Sequence, residues 1–250
     1  MGTGKSSGVN FHFVLVHGAC LGGWCWYKVA DILTSAGHTV SSLDMAGGGI
    51  HPAIADTVLS LQDYNRPLTD FFSALPSQDK VILVGHSAGG FNLSLAMEQF
   101  PCKISAAVFV SAFMPLSGTT FSDDLNQVLS RIGNFGDSIF YNANGEDNPP
   151  TSVTLGKKFC KEFLLQNTPS SDIMLTESLG RRFPLWQEAI SYSDESYGSV
   201  RRAYVVAKED KLIVEELQRK IVADNPPQMV YEIEGSDHCT FFSKPGRLAE

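Results

Sequence analysis

Three residues frame the chemistry this chain can do: Ser87, Asp210 and His238. A serine hydroxyl is a poor nucleophile at neutral pH and needs a base within hydrogen-bond reach. Histidine suits the task because its pKa lies near the working pH, and a carboxylate must then fix its tautomer and stabilise the imidazolium. Ser87 is the centre of Gly85-His86-Ser87-Ala88-Gly89, a Gly-x-Ser-x-Gly run that follows the apolar Val81-Ile82-Leu83-Val84 and precedes a helix-like stretch over 91–98. Strand, tight turn and helix together hold such a serine in a strained conformation with its hydroxyl raised above the sheet. Glycines flank it because a Cβ there would strike the neighbouring strand or helix. The unpaired amides of the helix start favour developing negative charge. An ordinary strand-to-helix turn is the plainer reading, and the pentapeptide alone is weak; its setting makes a nucleophile the better one.

Asp210 follows an apolar run at 202–207, and His238 follows another at 229–233. In a parallel sheet such loops leave the same edge, so three distant positions can meet. Glu209 competes with Asp210. Asp237 adjoins His238, where neighbours seldom pair. Asp44 precedes the serine and is expected to stabilise a turn. His86 is expected to point away, His17 belongs to an oxyanion loop, and His12, His38 and His51 read as structural. A tetrahedral oxyanion needs two donors. The Ala88 amide supplies one and the Ala19 amide the other, since Gly18 lets the His17-Gly18 turn approach closely.

The elements that must position these groups follow from periodicity. Strand-like runs at 11–16, 38–43, 81–84 and 104–110 alternate with helical patterns, one marked by Trp24, Tyr27, Val29, Ala30 and Leu33, another running over 61–75. That order predicts an α/β fold, a mostly parallel sheet flanked by helices. The rhythm breaks between Ser111 and Pro184, a stretch too long for a loop and too aromatic for a disordered linker. It reads as an inserted cap of short helices, with Phe135 and Phe140 as pocket candidates against ordinary packing. The expected organisation is a flexible tail over 1–8, a core from 9–112 and 185–250, and a cap from 113–184. Fewer residues follow Pro245 than a full final helix needs, which reads as a shortened end.

The formal net charge of -8, from 19 Lys+Arg and 27 Asp+Glu, opposes a nucleic-acid or anionic-membrane partner. No run is long enough to span a membrane, and the start carries no apolar leader core. Five cysteines without metal-like spacing read as reduced thiols in a cytoplasmic protein with no metal site. Gly2-Thr3-Gly4-Lys5-Ser6 lacks the earlier glycine and strand of a phosphate loop and is rejected as one. Met1-Gly2 with Ser6 fits a loose myristoylation pattern, against which a solvated tail is preferred.

The motifs resemble the plant methylesterase and hydroxynitrile lyase family of α/β-hydrolases. The likeness rests on Phe11–Cys20, Trp24-Cys25-Trp26-Tyr27-Lys28, Ser35-Ala36-Gly37-His38, the stretch from Lys80 to Gly90, Lys103–Phe109, Tyr197-Gly198-Ser199-Val200, Glu209-Asp210-Lys211 and Asp237-His238, and is weakest in the cap. The order Ser, Asp, His also matches that fold. The resemblance implies a cofactor-free serine hydrolase of methyl esters of small apolar acids, with a homodimer through the cap as one assembly. Family substrates include methylated hormones such as salicylate and jasmonate, alkaloid esters and chlorophyll-breakdown intermediates. The end over 237–243 looks more like the chlorophyll-catabolite branch. The lyase branch carries a lysine after the catalytic histidine and a threonine in the His-Gly turn; Cys239 and Gly18 stand there instead and favour hydrolysis. Leu21 replaces a histidine often seen in the family, and Phe135 stands where some members stack a tryptophan on substrate. A receptor of the same fold and a hydroxynitrile lyase are the competing readings.

Overall fold

The computed structural model describes residues 9–250. The expected tail over 1–8, with its phosphate-loop and myristoylation readings, lies outside the described residues. Six strands form one sheet: β1 (His12–Val16), β2 (Thr39–Leu43), β3 (Val81–His86), β4 (Ile104–Val110), then β8 (Arg202–Ala207) and β9 (Met229–Ile233). The order across the sheet is β2-β1-β3-β4-β8-β9 and every pairing is parallel.

Successive strand residues face opposite sides, and both sides are covered. Val14, Val16, Leu83, Phe109 and Tyr204 pack on one face with α2 (Leu61–Tyr64), α3 (Arg66–Ala74), α4 (Gly89–Gln99) and α8 (Glu215–Asp224). Leu15, Val84, Val110 and Val205 pack on the other with α1 (Tyr27–Ser35) and α9 (Thr240–Ser243). The chain then enters α10 (Pro245–Ala249). The single helix expected over 61–75 is two, because Pro67 cannot donate to a preceding turn and starts α3 afresh. Asn65 fills the break and accepts a 2.8 Å bond from Asn92 of α4.

The cap is inserted between β4 and β8. It holds α5 (Phe121–Ile132), α6 (Lys157–Phe159, continuing as a π-helical turn through Leu164) and α7 (Ser170–Leu179). It also holds a three-stranded antiparallel sheet that the expectation of short helices missed: β5 (Ile139–Tyr141), β6 (Ser152–Thr154) and β7 (Phe183–Pro184). Strands of two or three residues are too short to show an alternating pattern. Their register places Phe140, Val153 and Phe183 side by side, a row that faces the cavity described below.

Candidate active site

Ser87 opens the turn after β3 with φ +53°, in the left-handed region. Its amide donates to the Val110 carbonyl at 3.3 Å, and its carbonyl accepts from Gly90 at 3.0 Å and Phe113 at 3.1 Å. A Cβ on Gly85 would stand 2.4 Å from Leu93, one on Gly89 2.8 Å from the His17 carbonyl oxygen, and one on Gly90 1.7 Å from the Phe113 oxygen. Two further non-glycine residues have positive φ, Cys20 at +62° after β1 and Ser111 at +44° after β4. Strained backbone, at roughly 1–3 kcal/mol per residue, is therefore gathered at the ends of three adjacent strands.

His238 Nδ1 lies 2.7 Å from Asp210 Oδ2, and both side chains are buried. The carboxylate is itself held: Oδ1 accepts from the Leu212 and Ile213 amides at 2.8 and 2.9 Å, and Gln218 Nε2 reaches Oδ2 at 3.4 Å. Burial pushes the Asp210 carboxyl above its ordinary value, opposed by His238 and by those amides. With Nδ1–H given to Asp210, Nε2 is the ring nitrogen left to exchange a proton.

His86 departs from expectation. Its ring centre is 4.6 Å from that of His238, and its Nε2 donates to the His238 carbonyl at 2.9 Å. Burial and the neighbouring His238 hold its pKa well below the usual histidine value, so it is neutral. The strand period explains the placement: His86 shares a face with Val84, the face where α9 and the His238 loop pack. Asp237 accepts from the Asn167 amide at 2.9 Å and from Thr168 Oγ1 at 2.8 Å, which ties the cap to the His238 loop. Glu209 accepts from Asn167 Nδ2 at 2.7 Å. Asp44 accepts from the Gly23 and Ile50 amides at 2.6 and 3.0 Å and organises the glycine-rich loop.

The opposite wall is braced by His17. Its Nε2 accepts from the Met45 amide at 3.0 Å, so its Nδ1–H donates to the Gly18 carbonyl at 2.8 Å. In a trans peptide the amide opposes the carbonyl, so anchoring the Gly18 oxygen turns the Ala19 N–H away from His17. Anchoring the Ser87 carbonyl on Gly90 and Phe113 does the same for the Ala88 N–H. Among the described residues neither amide donates to a protein acceptor. A Cβ on Gly18 would stand 2.7 Å from His86 Nδ1 and 2.9 Å from Ser87 Cβ.

Ser87, Ala88 and Ala19 form the floor of an inner cavity of about 60 Å³. Its walls are cap and cap-base aromatics, among them Phe121, Phe135, Phe140 and Phe183. A second cavity of about 150 Å³ adjoins it, sharing Ala19 and Leu155 and lined also by Cys239.

Comparison with known proteins identifies the lineage. A model described as "Alpha/beta hydrolase family" matches residues 13–250. The chain belongs to that family. It is 43% identical to methyl jasmonate esterase 1 of Vitis vinifera over 242 residues, covering 94% of this chain and 92% of that one. It is 43% identical to salicylic acid-binding protein 2 of Nicotiana tabacum, covering 95% and 94%. The structure of polyneuridine aldehyde esterase superposes with a TM-score of 0.91 at 38% identity, covering 96% and 97%. The chain spans only 62% and 54% of two longer Arabidopsis thaliana relatives named as chloroplastic.

Within this hydrolase fold, the structure gathers Ser87, Ala19, Ala88, Phe135 and Phe140 around one cavity, and Asp210 and His238 onto each other. Cys239 lines the second cavity, and Gly18 sits behind the wall against His86. The reading of residue spacing missed Phe121, Val153 and Phe183, which reach the cavity through helix and cross-strand packing and carry no local signal. It also missed Gln218, whose position one helix beyond Asp210 was the available clue. Among the described residues no His/Cys/Asp/Glu cluster is arranged to hold a metal, all five cysteines are free, and no helix is long and apolar enough to cross a membrane.

Proposed function

We propose that this chain is a serine-dependent carboxylesterase that hydrolyses methyl esters of small apolar acids. The observation that carries the reading is the buried 2.7 Å His238–Asp210 contact at the sheet edge where Ser87 and two undonated amides line one cavity. Esterase names among relatives sharing about two-fifths of its residues support the same class.

In this reading Ser87 Oγ attacks the ester carbonyl carbon while His238 Nε2 takes its proton. Asp210, held by two amides, stabilises the imidazolium through Nδ1. The oxyanion meets the Ala19 and Ala88 amides, preorganised by the bonds that anchor the Gly18 and Ser87 carbonyls. The C–O bond to the alcohol breaks, His238 returns its proton to the departing oxygen, and water repeats the sequence to free the acid. The aromatic inner cavity supports an apolar acyl group. Methyl jasmonate esterase 1 by name acts on methyl jasmonate, and salicylic acid-binding protein 2 by name binds salicylic acid; acids of that kind are the first to test here. We assign the protein to the cytoplasm and to a dimer through the cap, to be checked by localisation of the full chain and by sedimentation.

The test is hydrolysis of a chromogenic acetate ester and a methyl-ester panel by the wild type and Ser87→Ala. The reading expects turnover in the first and a loss of at least about 10³-fold in the second. Equal activity in both would overturn it. Turnover too slow to follow, with tight acid binding, would favour the receptor, and cleavage of mandelonitrile the lyase.

A further inference from the structure

The turn over 164–168, between α6 and α7, belongs to the cap, yet its hydrogen bonds run to the two loops that carry the acid and the base. We propose that Thr168 and Asn167 of this turn are positioning residues for the Asp210–His238 pair, so that the cap holds the pair in register as well as roofing the cavity. The inference rests on the ester-hydrolase reading and deepens it.

His238 is gripped through the residues on either side of it. Before it, Asp237 Oδ2 accepts from Thr168 Oγ1 at 2.8 Å and from the Asn167 amide at 2.9 Å. After it, the Cys239 amide donates to the Leu164 carbonyl at 3.3 Å. The residue before Asp210 is held by the same turn: Asn167 Nδ2 donates to Glu209 Oε2 at 2.7 Å, and Gln166 Nε2 donates to the Glu209 carbonyl. The two loops also meet directly, the Glu209 amide donating to the Ser236 carbonyl at 3.0 Å. One cap turn therefore bonds to the neighbours of both members of the 2.7 Å pair.

Burial ranks these ties. Asp237 and Thr168 are both buried, whereas Asn167 and Glu209 are exposed. A buried carboxylate that loses a donor keeps its desolvation cost without the compensating bond, whereas at an exposed pair water takes the vacant place. Without the Thr168 hydroxyl the Asp237 side chain must shift to find another donor, and the peptide it shares with His238 shifts with it. A misplacement of about 1 Å costs on the order of 10²-fold in rate, so a fraction of that shift is enough to read in kcat. Thr168 and Asn167 line neither cavity, so their loss leaves the substrate's contacts in place. The defect should then fall on turnover and be the same for every ester.

The test is kcat and KM for a chromogenic acetate ester and for methyl phenylacetate, measured well below each variant's Tm so that the folded chain is assayed. Thr168→Val keeps the shape and removes the hydroxyl; it should lower kcat about ten- to thirtyfold on both esters, with KM within about threefold of the wild type. Thr168→Ser, which restores the donor, should recover kcat to within about threefold. Asn167→Ala should show the same signature at about three- to fivefold, and at an exposed position it decides the matter should Thr168→Val fail to fold. A kcat within about twofold of the wild type in both variants, a loss carried by KM, losses that differ about tenfold between the two esters, or no recovery in Thr168→Ser would overturn the positioning role and leave the esterase reading standing. Failure of the wild type to hydrolyse either ester would overturn both.

Discussion

The floor and the roof of the candidate site are built by different physics. On the floor the groups around the nucleophile are held by directional bonds: Asp210 by two amides, His238 by Asp210, and the Gly18 and Ser87 carbonyls by His17, Gly90 and Phe113. The roof is held by aromatic packing, with ring centres 5.6 Å apart for Phe135 and Phe140, 5.3 Å for Phe135 and Phe159, and 5.8 Å for Phe121 and Phe183. Hydrogen bonds fix positions to tenths of an ångström, whereas apolar contacts tolerate changes of shape that conserve volume. The floor can therefore keep one chemistry while the roof changes its ligand.

The contrast is sharpest for Asp210→Asn. It should lower kcat by about 10⁴-fold with the fold intact, because Nδ1 loses the partner that sets its tautomer; steady-state kinetics with circular dichroism checks it. Gly18→Ala comes next. Its methyl would stand 2.9 Å from Ser87 Cβ, and displacing the nucleophile should cost about 10²-fold in kcat with little change in KM. On the roof, Phe135→Ala should raise KM for an aromatic methyl ester about tenfold while kcat for a small acetate changes less than about threefold. A kcat collapse there would break the division between floor and roof.

The smallest effect on turnover belongs to Asp124, near the start of α5 and outside the lining of the cavity. Burial raises its carboxyl to about 7, against an ordinary 3.8. The folded chain thus holds this proton more tightly than the unfolded chain, so Asp124 costs nothing below about pH 4. Its destabilisation grows as pH rises to about 7 and is then constant. Asp124→Asn should match the wild type in stability at pH 4 and exceed it at pH 8 by a few kcal/mol, the rise from 3.8 to about 7 setting a ceiling of about 4 kcal/mol, roughly 2–4 °C in Tm for each kcal/mol, with kcat unchanged. Thermal scans at the two pH values read this directly.

How much of this was legible in the chain follows the same division. The strands, their parallel order and the Gly-x-Ser-x-Gly turn announce themselves because each is local, a run of apolar residues or a turn that only glycine permits. Asp210 and His238 could be named because each sits just past a strand. His86 was misjudged although the two-residue period from Val84 already put it on the His238 side. The Pro67 break was readable and was overlooked. The cap resisted for a physical reason: its strands are two or three residues long, and Phe121, Val153 and Phe183 meet only through tertiary packing.

The most direct measurement is the site of covalent capture by a fluorophosphonate, which bonds to an activated serine hydroxyl. Mass spectrometry of the digested protein should find one adduct, on the peptide carrying Ser87, formed in step with loss of esterase activity and absent from Ser87→Ala and greatly slowed in His238→Ala. Full inhibition with the adduct on another residue, or ester hydrolysis that survives stoichiometric labelling of Ser87, would contradict the account.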